Sequence, residues 1–552
     1  MKMFSDLKDL GVAFSLSNLW FITFWKKLIF SIDKNYFDFA SPLLEYLAVF
    51  IDVLFLTFIF FSLIKLANYF SNILLKRAFL IIFIVFGLLA FGALSSEIIK
   101  WFSPQTINFV NIPLLLIVFS ICLVFALKQK LKLSATAENL KLVALFLLPF
   151  SLLIFTHLFW AGLTFDRKNL LPESIERDFS ANQTSQLSKK VVWIIFDEID
   201  YAALTTAKQN NIDLPDIEHL INQSFTAQNA LPPNDYTFKS IPSLLTGKVV
   251  RSVNYIAAND LMLHPADNSE PFTLRQSSNI FKEVRNLGGE SGIVGYFHPY
   301  SRVFHGQTAY AFWRGKPQCA TLAALRSCSV NIFINSLISV PFMTRFFPSL
   351  WIADVAFSHE SQEWQIERNY FLTDKADELI SNPELNLLFF HFSIPHAPYI
   401  GRGNLEGKET YFNSLEVAND TLKRLRQTLE KSGQWDDTVL IVSSDHWWRF
   451  KEEKDFNYLP EIERNKALND IRIPFIVKFA GQKNRMDYEP SFNTVITKEL
   501  ILAIFKDEIK TPEELTLWLD NLRRQNPDFI EHRPEIESIW QNRWDPKLNS
   551  PR

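Results

Sequence analysis

Two stretches decide how this chain reads: Val191-Val192-Trp193-Ile194-Ile195-Phe196-Asp197-Glu198 and Val439-Leu440-Ile441-Val442-Ser443-Ser444-Asp445-His446. Each is a strand-length run, rich in β-branched residues, that ends in a pair of metal-ligand side chains. In an open α/β sheet the carboxyl ends of the strands gather at one edge, so residues far apart in sequence share a site there. Carboxylates and an imidazole are suitable donors for a divalent cation. Solvated acids at a strand end would give the Asp197-Glu198 pattern equally well; the matching Asp445-His446 tips the reading toward ligation. Asp200 reads as the cap of the next helix.

A third stretch, Thr237-Phe238-Lys239-Ser240-Ile241-Pro242-Ser243-Leu244-Leu245-Thr246-Gly247, reads as a hydroxyl-bearing loop entering a short helix. A hydroxyl at a helix N-terminus meets free backbone N–H groups that favour an anion. A neighbouring cation would lower its pKa enough for attack, whereas a simple N-cap would look the same. Phe390-His391-Phe392-Ser393-Ile394-Pro395-His396-Ala397-Pro398 follows a further apolar strand. His396, between two prolines, is placed to meet a leaving group or a phosphate oxygen. His391 alternates with apolar residues and reads as a buried, hydrogen-bonded histidine. Lys239 and Arg449 are candidate clamps for an anionic substrate. Ser240 and His298 complete the candidate substrate contacts, with His305 on the same rim.

The 552 residues carry a net charge of -3, which excludes a polyanion-binding signature and hence nucleic acid as a partner. Most of the apolar excess lies before residue 165. Leu43–Ile64, Ala78–Leu94, Ile112–Leu127 and Leu142–Leu163 are apolar stretches near the roughly 20 residues a bilayer crossing needs. Val12–Trp25 is shorter and reads either as a crossing or as an interfacial helix. Lys65, Lys76 and Arg77 flank one connection and Lys128, Lys130, Lys132 and Lys141 another, while the one between them has only Lys100. With basic loops in the cytoplasm, everything after Leu163 lies outside it. The expected protein is thus multi-pass in the cell's inner (plasma) membrane, with its catalytic domain external. Cys122 falls in a span; Cys319 and Cys328 could be bonded in an external domain or stand as free thiols. Glu45, Asp52 and His157 lack basic partners within the spans and read as helix-packing groups.

Residues 1–163 form the expected membrane domain of four or five helices, 164–190 a linker, 191–510 the catalytic domain and 511–552 a polar extension. Strands are expected at Gly292–Tyr296, Asn386–Phe392 and Ile473–Phe479, with helices over Tyr411–Lys431 and Pro512–Arg524.

The ordered set Phe-Asp-Glu, Thr-x-x-Ser-x-Pro-Ser-Leu-Leu-Thr-Gly, Ile-Pro-His-Ala-Pro and Ser-Ser-Asp-His resembles the alkaline phosphatase superfamily. Within it the chain is similar to sulfatases and to membrane-bound phosphoethanolamine and phosphoglycerol transferases, over roughly residues 190 to 485. The resemblance implies a three-layer α/β sulfatase-like domain. It implies Asp197, Glu198, Asp445 and His446 as ligands of zinc, manganese, magnesium or calcium, with Thr237 as nucleophile and His396 as the histidine of a Pro-His-x-Pro motif. The implied reaction moves a phosphoryl-linked group from a phospholipid-type donor in the bilayer to an external acceptor such as a glycan. The alternative is a phosphatase, phosphodiesterase or sulfatase acting on phosphate or sulfate esters. Ser240-Ile241-Pro242-Ser243 fits most of the formylglycine motif of sulfatases, but Leu244 stands where that motif has arginine. The transferases usually carry Gly-Glu after Asp-His and another histidine soon after. Here Trp447-Trp448-Arg449 come next, the next histidine is His532, and the tryptophans suggest a stacked sugar ring.

Overall fold

The computed structural model describes residues 2–22, 36, 42–102, 133–164, 174–176, 187–257, 259–314, 325–338, 362–402, 410–530 and 532–534. They divide into two compact units.

The larger unit is built on a nine-stranded mixed sheet. In chain order its strands are β1 (Ser174–Glu176), β2 (Lys190–Asp197), β3 (Phe225–Ala227), β4 (Ser291–Gly295) and β5 (Tyr310–Trp313), then β6 (Leu387–Pro395), β7 (Thr438–Ser444), β8 (Phe475–Lys478) and β9 (Met486–Tyr488). The spatial order is β1-β5-β4-β6-β2-β7-β8-β3-β9. At its centre β6, β2 and β7 run parallel, in a register that pairs Leu387 with Val191 and Ser444 with Phe196. Every residue of these three strands is buried, as expected for parallel strands covered on both faces.

Alternation along the strands separates two layers of packing. Val192, Ile194, Phe196, Leu388, Phe390 and Phe392 join one core with helices Gln362–Ile380 and Tyr411–Lys431. Trp193 and Phe389 face the other way, ring to ring, and Phe389 also meets Phe281 of helix Ile280–Asn286. The expected helix at Tyr411–Lys431 forms over those residues. Thr410 caps it through the Asn413 backbone N–H, and Gly433 comes after it in the left-handed region. The predicted strands form within two residues of their expected ends, except that Leu387–Pro395 runs three residues longer, through a bulge between Phe392 and Pro395.

The smaller unit is a helical bundle. It contains Lys2–Trp20, Pro42–Tyr69, Ile73–Phe102, Leu133–Phe146 and Leu148–Thr164. Tyr46–Tyr69 and Ile73–Phe91 are long and apolar enough to cross a membrane. Ser134–Phe146 and Leu148–His157 make a third such segment if the pair, bent by 45°, is one span. The expected span Ile112–Leu127 lies outside the described residues. Val12–Trp25 falls largely on helix Lys2–Trp20, which buries Val12, Ala13 and Leu16 in the bundle core. Lys65 pairs with Asp6 at 2.5 Å and with Asp9 at 2.6 Å, while Lys141 pairs with Glu138 at 2.9 Å and lies 3.9 Å from Asp9.

One further helix of this unit, Leu325–Ile338, comes from far along the chain. Ser336 accepts from Trp20 Nε1 at 3.1 Å, and Ser329 donates to Asp52. A catalytic domain running unbroken from 191 to 510 does not anticipate this excursion. Cys328 on this helix is disulfide-bonded, and Cys319 lies outside the described residues.

Candidate active site and metal centre

The parallel trio β6-β2-β7 brings its carboxyl ends to one edge. Asp197 closes β2, Asp445 comes directly after β7 and His391 sits midway along β6, opposite Ile195, and one ligand atom from each lies within 4.8 Å of the others. His446 joins them: its Nε2 is 3.4 Å from Asp197 Oδ1 and 3.4 Å from Asp445 Oδ2. Its Nδ1 lies 3.0 Å from the Trp447 carbonyl, which can only accept. Nδ1 therefore carries the proton and Nε2 turns a lone pair toward the carboxylates, the tautomer a metal ligand needs.

Four buried polar atoms at this edge have no hydrogen-bond partner: Asp197 Oδ1, Glu198 Oε2, Asp445 Oδ2 and His391 Nε2. Buried donors and acceptors are rarely left unpaired, so the set fits a divalent cation with mixed oxygen and nitrogen ligands. The electrostatics agree. Burial, then the charges of Asp445 and Glu198, push the Asp197 carboxyl well above the usual range. Burial lifts Asp445 to about 6, opposed by a hydrogen bond from the Thr237 hydroxyl. Burial also drives His391 and His446 well below 6.5, so both imidazoles are neutral. Neutral imidazoles beside crowded acids are what a cation would stabilise.

Glu198 is held differently from the other expected ligands. Its φ of 69° lies in the left-handed region, costly for a residue with a side chain by about 1–3 kcal/mol. That turn carries its carboxylate to Arg449, whose Nε donates to Oε1 at 2.9 Å. The Glu198 carbonyl accepts from Tyr411 Oη at 2.7 Å. Arg449, expected on the substrate, thus makes a part-buried ion pair with a buried glutamate inside the cluster. Asp200 caps helix Tyr201–Thr206 as expected and binds Lys451 Nζ at 2.6 Å, tying the two strand-end loops together.

Thr237 is the first residue of helix Thr237–Thr246, and left-handed Gly247 ends it. Its Oγ1 is 3.3 Å from His446 Nε2, so the hydroxyl lies in the cluster at a helix N-terminus. Lys239 is buried in the same first turn, 3.2 Å from Asp235 Oδ1 with its ammonium 4.6 Å from the Tyr236 ring. Ser240 is buried and donates to the Asn234 carbonyl at 3.2 Å. His298 is buried, with Nε2 3.5 Å from the Thr237 carbonyl, and burial lowers its pKa to about 3. His396 is half-buried, its Nδ1 2.5 Å from the Ala397 carbonyl. His305 is exposed.

Two features escape the sequence. His391, expected only as a packed histidine, does pair through Nδ1, with Tyr300 Oη at 2.7 Å, but its Nε2 faces the acids. The signal lay in its place two residues before the Pro-His-Ala-Pro loop's strand bulges, on the strand next to β2. The tryptophans offer no open aromatic face. Trp447 and Trp448 are both buried, and Trp448 stacks on Tyr411 at 3.9 Å between centroids.

The Sulfatase family model matches residues 189–500, more than half of the chain. Over 95 residues the chain is 33% identical to the multifunctional alkaline phosphatase superfamily protein PehA of Trinickia caryophylli; the match spans 17% of this chain and 18% of that protein's length. Among solved structures it is similar to the PsFucS1 sulfatase of Pseudoalteromonas sp., with 14% identity, a TM-score of 0.40 and coverage of 58% of this chain and 69% of that one. It is also similar to the lipoteichoic acid synthase LtaP of Listeria monocytogenes, with 13% identity, a TM-score of 0.35 and coverage of 58% and 72%. The chain belongs to the sulfatase family, within the alkaline phosphatase superfamily.

Proposed function

We propose that this sulfatase-family protein is a metal-dependent membrane enzyme that transfers a phosphoryl-linked group from a phospholipid-type donor to an external acceptor through Thr237. The observation that carries the reading is the Thr237 hydroxyl, seated at a helix N-terminus and hydrogen-bonded into the acid–imidazole cluster. Asp197, Asp445, His391 and His446 would hold the cation, with Glu198 beside them paired to Arg449. Bound there, a divalent cation would lower the hydroxyl pKa and neutralise charge on the phosphoryl oxygens.

In this reading Thr237 Oγ1 attacks phosphorus and its proton passes to the Asp445 carboxylate that accepts its hydrogen bond. The P–O bond to the donor's alcohol breaks as the Thr–O–P bond forms. The alcohol takes a proton from His396, whose Nδ1 is engaged by the Ala397 carbonyl and whose Nε2 is the remaining donor. An acceptor hydroxyl, which we assign to a glycan, then gives its proton to His396 as its oxygen bonds phosphorus, and the Thr–O–P bond breaks as Thr237 Oγ1 takes its proton back from Asp445. The positive end of the Thr237 helix dipole would favour the developing negative charge.

The two apolar helices of the same chain support a lipid donor and a multi-pass inner-membrane location. Asp6, Asp9, Lys65 and Lys141 meet at one end of the bundle, which supports putting the N-terminus and both basic connections in the cytoplasm. The disulfide at Cys328 supports an oxidising compartment for the part of the chain beyond Leu163. Water as acceptor gives the hydrolase reading, favoured by the sulfatase family itself. Incubation with labelled phospholipid, with and without a glycan acceptor, separates the two: label on the glycan supports transfer, and label released only to water supports hydrolysis. Thr237→Ala should abolish turnover with bound metal retained; retained turnover removes Thr237 as nucleophile.

A further inference from the structure

Tyr36 belongs in sequence to the connection between helices Lys2–Trp20 and Pro42–Tyr69 of the bundle, yet it is part of the catalytic unit. It is fully buried there. Its hydroxyl lies 2.9 Å from His298 Nδ1, and its carbonyl accepts from Arg302 Nη1 at 3.4 Å. Its ring leans on Tyr255 at 5.7 Å, Tyr255 stacks on Phe238 at 4.9 Å, and Phe238 stacks on the His298 ring at 5.9 Å. These four rings close on the residue beside the nucleophile.

We infer that Tyr36 is a positioning residue for Thr237, acting through His298. The inference rests on the reading of Thr237 as nucleophile. A carbonyl can only accept, so the contact of His298 Nε2 with the Thr237 carbonyl requires a proton on Nε2. A neutral imidazole then has its lone pair on Nδ1, and the Tyr36 hydroxyl donates to it. Burial keeps the phenol protonated and the imidazole neutral, so the relay Tyr36→His298→Thr237 has a fixed direction. Phe297, just before His298, has a φ of 67°, so the backbone is turned to aim this ring. The peptide so held starts the helix whose first side chain is the Thr237 hydroxyl. A segment from the membrane-helix half of the sequence thereby orients the reacting hydroxyl, and the catalytic unit's own 171–316 stretch does not supply that group.

The test uses the full-length protein in detergent, labelled with 15N-histidine, with the His298 signals assigned by their loss in His298→Gln. The wild type should show Nδ1 as the lone-pair nitrogen and Nε2 as the protonated one. Tyr36→Phe should mix the two tautomers, lower kcat on bis(p-nitrophenyl) phosphate about tenfold, and leave KM and zinc content within twofold. Combining Tyr36→Phe with His298→Gln should cost no more than His298→Gln alone. An unchanged tautomer in Tyr36→Phe, a loss borne by KM or zinc content, or additive losses would overturn the inference. Turnover surviving Thr237→Ala removes the nucleophile instead, and the histidine spectra still decide the Tyr36–His298 link.

Discussion

Tyr300→Phe gives the sharpest test of His391 as part of the metal centre. Tyr300 and His391 are both fully buried, and the hydroxyl lies 2.7 Å from Nδ1. The variant keeps the ring, which packs on Phe389 at 5.8 Å and Phe304 at 6.3 Å, and removes one oxygen. Nδ1 is then left buried without a partner, at a cost of about 1–3 kcal/mol. If Nε2 is a metal ligand, that cost falls on the metal-bound state, because the Tyr300 contact orients the ring and sets its tautomer. The expected loss is about 10–100-fold in metal affinity, the range for partners of ligating histidines. Zinc or manganese affinity, measured on metal-free protein by competition with a chromogenic chelator, reads this directly. Thermal unfolding of the metal-free variant separates affinity from stability. Affinity within twofold of wild type, with metal-free stability reduced, would refute His391 as a ligand and leave it a structural histidine.

Three further perturbations probe the frame around the site. Arg449→Met leaves Glu198 buried without its cation and should destabilise the catalytic unit by about 3–5 kcal/mol; adding Glu198→Gln should restore most of it in denaturant unfolding. Gly295→Ala would place a methyl against the Tyr300 ring and 3.2 Å from His391 Cβ, so metal affinity should fall with little change in secondary structure by circular dichroism. Lys478 is fully buried and burial lowers its pKa from 10.5 to about 8. Its folded pKa lies below the unfolded one, so the penalty is full below pH 8 and disappears as pH rises to 10.5. Stability should therefore rise across that window, by up to roughly 3 kcal/mol. Lys478→Met should flatten the curve there, and equal slopes in the two proteins would count against it.

The strand ends Asp197-Glu198 and Asp445-His446, the helix at Thr237 and the capped helix after Thr410 were all legible in the sequence. Their signals are local: a buried strand needs six or so apolar residues in a row, and a helix start needs a hydroxyl or a cap at its first turn. The family resemblance joined these pieces in order. Roles that depend on a partner from elsewhere were not legible. Alternation told which face of β6 His391 occupies, but only pairing of β6 beside β2 put its Nε2 among the acids. Glu198 looked like a ligand and Arg449 like a substrate clamp; a left-handed backbone angle brings one Glu198 carboxylate oxygen to Arg449 and leaves the other unpartnered in the cluster. The tryptophans suggested an open platform until Tyr411, on a helix a few dozen residues earlier, covered Trp448. Tyr36 carried no signal, since its meaning lies in a histidine 262 positions away. Sequence by itself determined which elements form and which side chains stand at their ends, because periodicity and capping act over a few residues. Tertiary structure decided which of those side chains meet, because a hydrogen bond or an ion pair exists only at a distance of about 3 Å, and the fold of the whole chain sets that distance.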